Sequence, residues 1–448
     1  MKLPLSPPAP AGLMQSLTPE SLARLFSTPS PLVAGRYLHW DEMRHRAPPE
    51  GISLEEWWLS VWIARRALLK AIPLHDKEGK AFKLAIPEPA LIHLHHIDRD
   101  AAGQIRAPVG APVHENRERY LLHSLIEEAI TSSQLEGAST TRRVAEAMLR
   151  EGRRPRDRSE SMIFNNYAAM EHLRALRDEP ITPERILELH RMLTADTLDD
   201  PADAGRLRQS DDIQVVDNRD GTILHTPPTW AELPERLNAL CVFANADESS
   251  APFVHPVVRA ILLHFMIGYD HPFVDGNGRT ARALFYWSMA RNGYWLMEFL
   301  SISQFLHQAP RQYVQAYLHT ETDGGDTTYF VLHQLATIRR AIEALYEYLA
   351  RKTHEQRDAE RLLSGSSALR GRLNHRQISV LTHALKNPDE TYRVGTHQKI
   401  HGVVYQTARA DLLDLESLGF LEKIKQGQAF VYYAPEDIRA RIERAAKG

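Results

Sequence analysis

Along most of the chain, apolar residues recur every three to four positions, the spacing of helices that bury one face. In ENRERYLLHSLIEEAITSSQLEG the residues Leu121, Leu122, Leu125, Ile126, Ala129 and Ile130 form one such stripe and predict a helix over 117–136. SLEEWWLSVWIARRALLKAI before it repeats the pattern. So do RSESMIFNNYAAMEHLRALRD and TPERILELHRMLTAD after it, the last opened by a capping Thr-Pro-Glu. The rhythm breaks in DDIQVVDNRDGTILHTPPTW, where Ile213–Val216 and Ile223–Leu224 flank Asn-Arg-Asp-Gly, which predicts a β-hairpin over 213–226. Helical spacing resumes in AELPERLNALCVFANA, PVVRAILLHFMIGYD and GRTARALFYWSMARNG, then in a long helix near 327–362. The expected fold is mainly α, a helical core with one hairpin and a small C-terminal winged helix-turn-helix. Residues 1–110 read as an N-terminal arm and helical extension, 111–362 as the core, 363–371 (LSGSSALRG) as a linker and 372–448 as the C-terminal module.

Composition narrows this picture only slightly. With 448 residues, 43% hydrophobic and 25% charged, the chain has room for two or three ordinary globular domains. A net charge of -3 gives no global reason to expect nucleic acid or a membrane surface as partner. No apolar run approaches the roughly 18 residues of a membrane span. The opening MKLPLSPPAPAGLMQSL is proline-rich and lacks the apolar segment of a signal peptide. The single cysteine, Cys241, excludes an internal disulfide and a cysteine metal cluster, and its apolar neighbours make it a core thiol. The expected compartment is cytoplasmic.

The chemistry concentrates in HPFVDGNGRTAR, His271 to Arg282. The glycines of Asp-Gly-Asn-Gly predict a turn feeding a helix that starts near Arg279. Glycine lets backbone approach a ligand closely, and free amides at a helix start favour an anion. Arg279 and Arg282 stand on one face of the first turn, where positive charge opposes the helix dipole unless a polyanion balances it. Asp275 beside such a site implies an intervening cation, for which Mg²⁺ is the usual choice. His271, ending the preceding helix, can accept a proton near neutral pH. These are the parts of a phosphate-transfer site.

The run matches in full the signature His-x-Phe-x-(Asp/Glu)-Gly-Asn-(Gly/Lys)-Arg-x-x-Arg and resembles the Fic family of protein adenylyltransferases, with the likeness extending over about 115–340. The resemblance implies that His271 activates a Ser, Thr or Tyr hydroxyl of a target protein, or of the chain itself, for attack on the α-phosphate of ATP. It assigns the nucleotide to Asp275, Gly276, Asn277, Gly278, Arg279, Thr280, Ala281 and Arg282, with Mg²⁺ on Asp275, the glycines and Asn277 as phosphate cradle, and both arginines as clamps. Phe273 would pack in the core. Gly278, where the kinase-like Doc type has lysine, favours adenylylation. The hairpin resembles the family's flap, which aligns the target by strand pairing, and Tyr313 stands near the position of an adenine-contacting tyrosine.

Read plainly, Gly137 in SSQLEG is a helix cap and Glu136 a surface charge, although a carboxylate in a helix's last turn invites a cation. The stretch also resembles the family's inhibitory motif (Ser/Thr)-x-x-x-Glu-(Gly/Asn), with Ser132, Glu136 and Gly137 in the motif positions. By that resemblance Glu136 pairs with Arg282 and takes it from the γ-phosphate. Related proteins with such a glutamate also remove AMP, which leaves a reverse activity open, and relief of the brake in the family involves dimer contacts, which adds a homodimer to the expected assemblies.

In the tail, HGVVYQTARADLLDLESLG would offer Tyr405, Gln406, Thr407 and Arg409 to a DNA groove. From residue 371 on there are 12 basic against 9 acidic residues, a weak footprint for DNA. Protein contact is the other reading of such a module. A nucleotide-sensing, DNA-binding regulator is therefore the rival to an autoinhibited enzyme, and the intact His271 and both arginines favour the enzyme.

Overall fold

The structure is a computed structural model and describes residues 2–15, 30–102, 117–217, 219–364, 371–386, 390–426, 429–435 and 437–447. They fall into two compact units, one within Met1–Arg106 and Tyr120–Ala344, the other within Ala107–Arg119 and Leu345–Gly448. Most of the expected linker, and residues 16–29 of the expected arm, lie outside the described residues.

In the first unit, helix α1 (Leu54–Leu68) opens on a capping box in which the Ser53 hydroxyl accepts from the Glu56 amide and the Glu56 carboxylate from the Ser53 amide. It stops short of the Ile72 that its apolar spacing predicts. Pro73 is the reason, since its ring would clash with the carbonyl of residue 69 in a continuing helix. Lys70–His75 (β1) instead pairs antiparallel with Ala81–Leu84 (β2), a hairpin the helical spacing does not reveal. The Asp76 carboxylate builds its turn by accepting from the Glu78 and Lys80 amides.

Helix α2 (Glu88–Ile97) is followed by α3 (Arg117–Leu135), α4 (Arg142–Glu151), α5 (Arg158–Ala175) and α6 (Pro183–Thr194). Next come the short antiparallel strands β3 (Val215–Val216) and β4 (Ile223–His225), where the sequence places the hairpin. Helices α7 (Leu233–Ala244), α8 (Pro256–Asp270) and α9 (Asn277–Arg291) follow, then α10 (Ile302–Gln308), α11 (Pro310–Thr322) and α12 (Thr328–Ser364). Helices α8 and α9 are buried on almost every face and form the centre of the unit.

The N-terminal segment packs within this same unit. Arg65 on α1 is 2% exposed, lies 3.7 Å over the Tyr37 ring, and donates to Tyr329 Oη (2.8 Å) and the Leu38 carbonyl (2.9 Å). Tyr37 and Tyr329 donate in turn to Asp326 (2.6 Å) and Asp323 (2.7 Å), so the buried cation has carboxylates close by.

The second unit runs α13 (His375–Lys386), β5 (Thr391–Tyr392), α14 (Val394–His401), α15 (Tyr405–Ser417), β6 (Glu422–Gln426), β7 (Ala429–Tyr433) and α16 (Ile438–Lys447). Its antiparallel sheet has the order β5-β7-β6, and Leu381, Leu412, Leu415, Phe420 and Ile442 fill its core. Buried Asp411 accepts from Arg376 (2.7 Å) and Asn374 (2.7 Å), and these donors hold its pKa down at about 2.

Candidate active site

The turn between α8 and α9 gathers the polar groups. Its first residue, His271, caps α8 in the left-handed region, φ 44° and ψ 56°, a conformation that costs a non-glycine residue about 1 kcal/mol or more. The His271 amide donates to the Ile267 carbonyl, and Nδ1 lies 3.2 Å from the Gly268 carbonyl. A carbonyl only accepts, so Nδ1 carries the proton and Nε2 keeps its lone pair. Burial depresses the imidazole pKa, with the Gly268 carbonyl acting against it, so the ring is neutral at neutral pH. That is the state required of a general base.

Two residues with no signal in the sequence hold the turn. His190 of α6, stacked on Phe273 with centroids 3.7 Å apart, accepts from the Gly205 amide at Nδ1 (2.9 Å). Its Nε2 therefore carries the proton and donates to the Asp275 carbonyl (2.9 Å), and burial lowers its pKa to about 4. Arg208, 3% exposed, donates through Nε to the His271 carbonyl (3.0 Å). The same guanidinium reaches the Ser210 carbonyl (2.7 Å) and the Pro228 carbonyl, on either side of the β3–β4 hairpin. A lone histidine on a helix and a lone arginine in a loop carry no distinguishing pattern until the fold brings them here.

Gly276 starts α9 at φ +82°, and a Cβ there would stand 2.7 Å from Thr194 Cγ2, so both conformation and space require glycine. Asn277 turns inward. Its Oδ1 accepts from the Phe273 amide (2.9 Å) and its Nδ2 donates to the Phe273 carbonyl (2.8 Å), which leaves only its backbone amide for a phosphate cradle. Two further residues expected at the nucleotide have their side chains within the fold. The Thr280 hydroxyl donates back to the Gly276 carbonyl (2.9 Å) and Ala281 is buried in the core, because the inward face of α9 packs against its neighbours.

Asp275 remains at the rim with its side chain 40% exposed, its Oδ2 3.4 Å from Arg158 and 3.9 Å from Arg279. Arg279 is fully buried and donates to the Leu193 carbonyl (2.7 Å), while among the described residues Nε and Nη2 have no hydrogen-bond partner. Burial lowers its pKa. Such a guanidinium, beside a helix start, is suited to a bound anion.

Arg282 is occupied. Its Nε donates to Ser132 Oγ (2.8 Å), and Nη2 donates to the Ser132 carbonyl (2.9 Å) and to Glu136 Oε1 (2.8 Å). Glu136 follows the end of α3, and Gly137 at φ +91° turns the chain away. Its carboxylate lies over Gly278, where a Cβ would stand 2.8 Å from Glu136 Cδ. It thus holds the position at the start of α9 where a phosphate would gain both arginine and helix dipole.

Tyr313 on α11 has its hydroxyl 2.7 Å from His264 Nε2 and beside the Arg282 guanidinium, and its ring is 5.5 Å from that of Tyr317. On the hairpin, Val216 and Ile223 are direct cross-strand partners, 42% and 47% exposed. The hairpin's base is fixed by His225, which lies 2.7 Å from both the Tyr269 carbonyl and Glu321.

Residues 180–289 match the family model described as the Fic/DOC family. The chain is similar to the protein adenylyltransferase Fic of Drosophila melanogaster, 31% identical over 198 residues, covering 44% of this chain and 37% of that protein. It is equally similar to the protein adenylyltransferase fic-1 of Caenorhabditis elegans, 31% identical over 182 residues, 40% of this chain and 33% of that one. The chain therefore spans little more than a third of the length of the curated relatives it matches. A crystal structure of a Fic family protein from Desulfovibrio desulfuricans G20 shares the fold with a TM-score of 0.51 at 17% identity, over 79% of this chain and 97% of that one.

Proposed function

We propose, from the premise that residues 180–289 form a Fic domain, that this chain is an autoinhibited protein adenylyltransferase. One observation carries the reading: a neutral His271, whose Nε2 makes no hydrogen bond among the described residues, stands beside a helix start whose Arg282 is held by Glu136. Nε2 takes the proton of a target hydroxyl, whose oxygen forms a bond to the α-phosphorus of ATP. The bond from that phosphorus to the bridging oxygen breaks, and pyrophosphate leaves. Arg279, two of whose nitrogens make no hydrogen bond among the described residues, receives phosphate oxygens. Asp275, a carboxylate at the rim, would hold Mg²⁺, which would supply charge neutralisation at the phosphates. The exposure of the Val216–Ile223 pair supports reading this hairpin as the surface that aligns a target strand. With Glu136 in place, Arg282 is withheld from the γ-phosphate and transfer is slow.

The strand order and the helix–strand–helix–helix–strand–strand succession of the second unit support reading it as a winged helix. Ile400, Val404 and Tyr405, at 53%, 67% and 54% exposure, put apolar groups where a DNA reader needs basic ones, which supports a protein partner for this module.

Labelled-ATP transfer tests the enzyme. Glu136→Gly raises self-labelling and labels a target band in lysate, and His271→Ala in that background lowers labelling by about 10²–10⁴-fold. Labelling that survives His271→Ala refutes the assignment of the base.

A further inference from the structure

Helices α3 and α9 carry matched stripes. Glu128 and Ser132 on α3 and Glu136 just past its end are four apart, and on α9 so are Gly278, Arg282 and Tyr286. Run antiparallel, they meet rung by rung. Glu136 lies over Gly278 and bonds Arg282, Ser132 accepts from Arg282 by hydroxyl and carbonyl, and Glu128 accepts from the Tyr286 hydroxyl (2.9 Å). The last rung is unlike the others. Glu128 is 2% exposed, and its carboxylate also accepts from Ser301 Oγ (2.8 Å), the Ser303 amide (3.2 Å) and Ser303 Oγ. Among the described residues no cation pairs with it, so hydroxyl and amide donors from α9 and the start of α10 satisfy a buried carboxylate.

We propose that Glu128 is the positioning residue of the brake, its bond to Tyr286 and Ser303 fixing the register of α3 on α9; this rests on the reading of Glu136 as inhibitory. Sliding α3 by one residue moves it by about 1.5 Å and rotates it by about 100°. Either motion carries Glu136 off Arg282. It also strips a buried carboxylate of its donors, so the lower rung resists the motion that would open the upper one. The rung lies about two helical turns from Glu136, yet it governs whether Arg282 is free.

Tyr286→Phe deletes one hydroxyl, and Glu128→Ala deletes the whole anchor. Both are expected to raise self-labelling about tenfold, the scale of one lost charge-assisted hydrogen bond, and not above the level of Glu136→Gly. Combined with Glu136→Gly they add nothing, because there is no carboxylate left to place. Amide hydrogen exchange at residues 132–138 quickens in both variants. A merely structural role predicts the reverse, with lower thermal stability and lower labelling in both backgrounds. If Glu136→Gly activates while Tyr286→Phe and Glu128→Ala stay at or below wild type with unchanged exchange, the register is refuted and the brake stands. If Glu136→Gly itself is flat, the brake fails and the proposal falls with it.

Discussion

Replacing Gly278 by alanine adds one methyl group at the point where the Glu136 carboxylate, proposed above as a brake, touches α9. The new Cβ would stand 2.8 Å from Glu136 Cδ and 2.9 Å from Arg282 Nη1, both well inside van der Waals contact. The groups it meets are the ends of flexible side chains, and Gly278 sits in an α-helix without a positive φ, so the fold accommodates the change. Glu136, whose side chain is 25% exposed, has room to retreat, whereas Arg282 at 2% does not. Ordinary contact requires the carboxylate to withdraw until its 2.8 Å bond to Arg282 is lost. A hydrogen bond between charged groups contributes roughly 1.5–3 kcal/mol, and the partial exposure puts this one near the lower end. The closed state should weaken about 10–30-fold. Isothermal titration with ATP and labelled self-transfer both read this shift. The methyl group could also crowd a phosphate, and Gly278→Ala in the Glu136→Gly background measures that effect alone. Unchanged ATP affinity and labelling for Gly278→Ala, with Glu136→Gly fully active, would refute Gly278 as the seat of the proposed brake.

Acid should destabilise the folded chain between pH 6.5 and 4. Burial lowers the pKa of His190, His319 and His333 to about 4 and that of His264 further, whereas the unfolded residues titrate near 6.5. Unfolding then takes up protons across that window, at up to about 3 kcal/mol per histidine. Asp270 and Asp323, raised to about 6, and Glu127 and Asp326, also raised, act in the opposite sense as pH falls. The lowered imidazoles outnumber them once His39, His93, His271 and His401 are added. Melting temperatures at pH 7.5, 6 and 5 should fall in that order, and a flat series contradicts the assignment of neutral buried imidazoles. Asn277→Ala leaves the buried Phe273 amide and carbonyl unpaired, at about 2–3 kcal/mol. A loss of several degrees in melting temperature with a matching fall in transfer by the Glu136→Gly protein is expected, and stability equal to the parent would rule out the clasp.

What the sequence alone determined is local. The twelve residues from His271 to Arg282 keep their chemistry together because a turn and a helix start place them within one segment. The hairpin and the helix ahead of Glu136 were legible for the same reason, since periodicity and turn residues act over a few positions. Where the sequence misled, a local signal had a rival: Pro73 cut a helix that the apolar spacing continued. The inward turn of the Asn277 side chain onto Phe273 was likewise not legible. His190 and Arg208 were silent, because their partners lie 85 and 63 residues away and no pattern marks such a meeting. The stripe of Glu128, Ser132 and Glu136 and that of Gly278, Arg282 and Tyr286 can each be read off the chain as a spacing of four. That they meet in one antiparallel register, so that Arg282 faces a carboxylate 146 residues away, was decided only by the tertiary structure. Helical periodicity places side chains on a face, but the packing of two helices sets which rung of one meets which rung of the other.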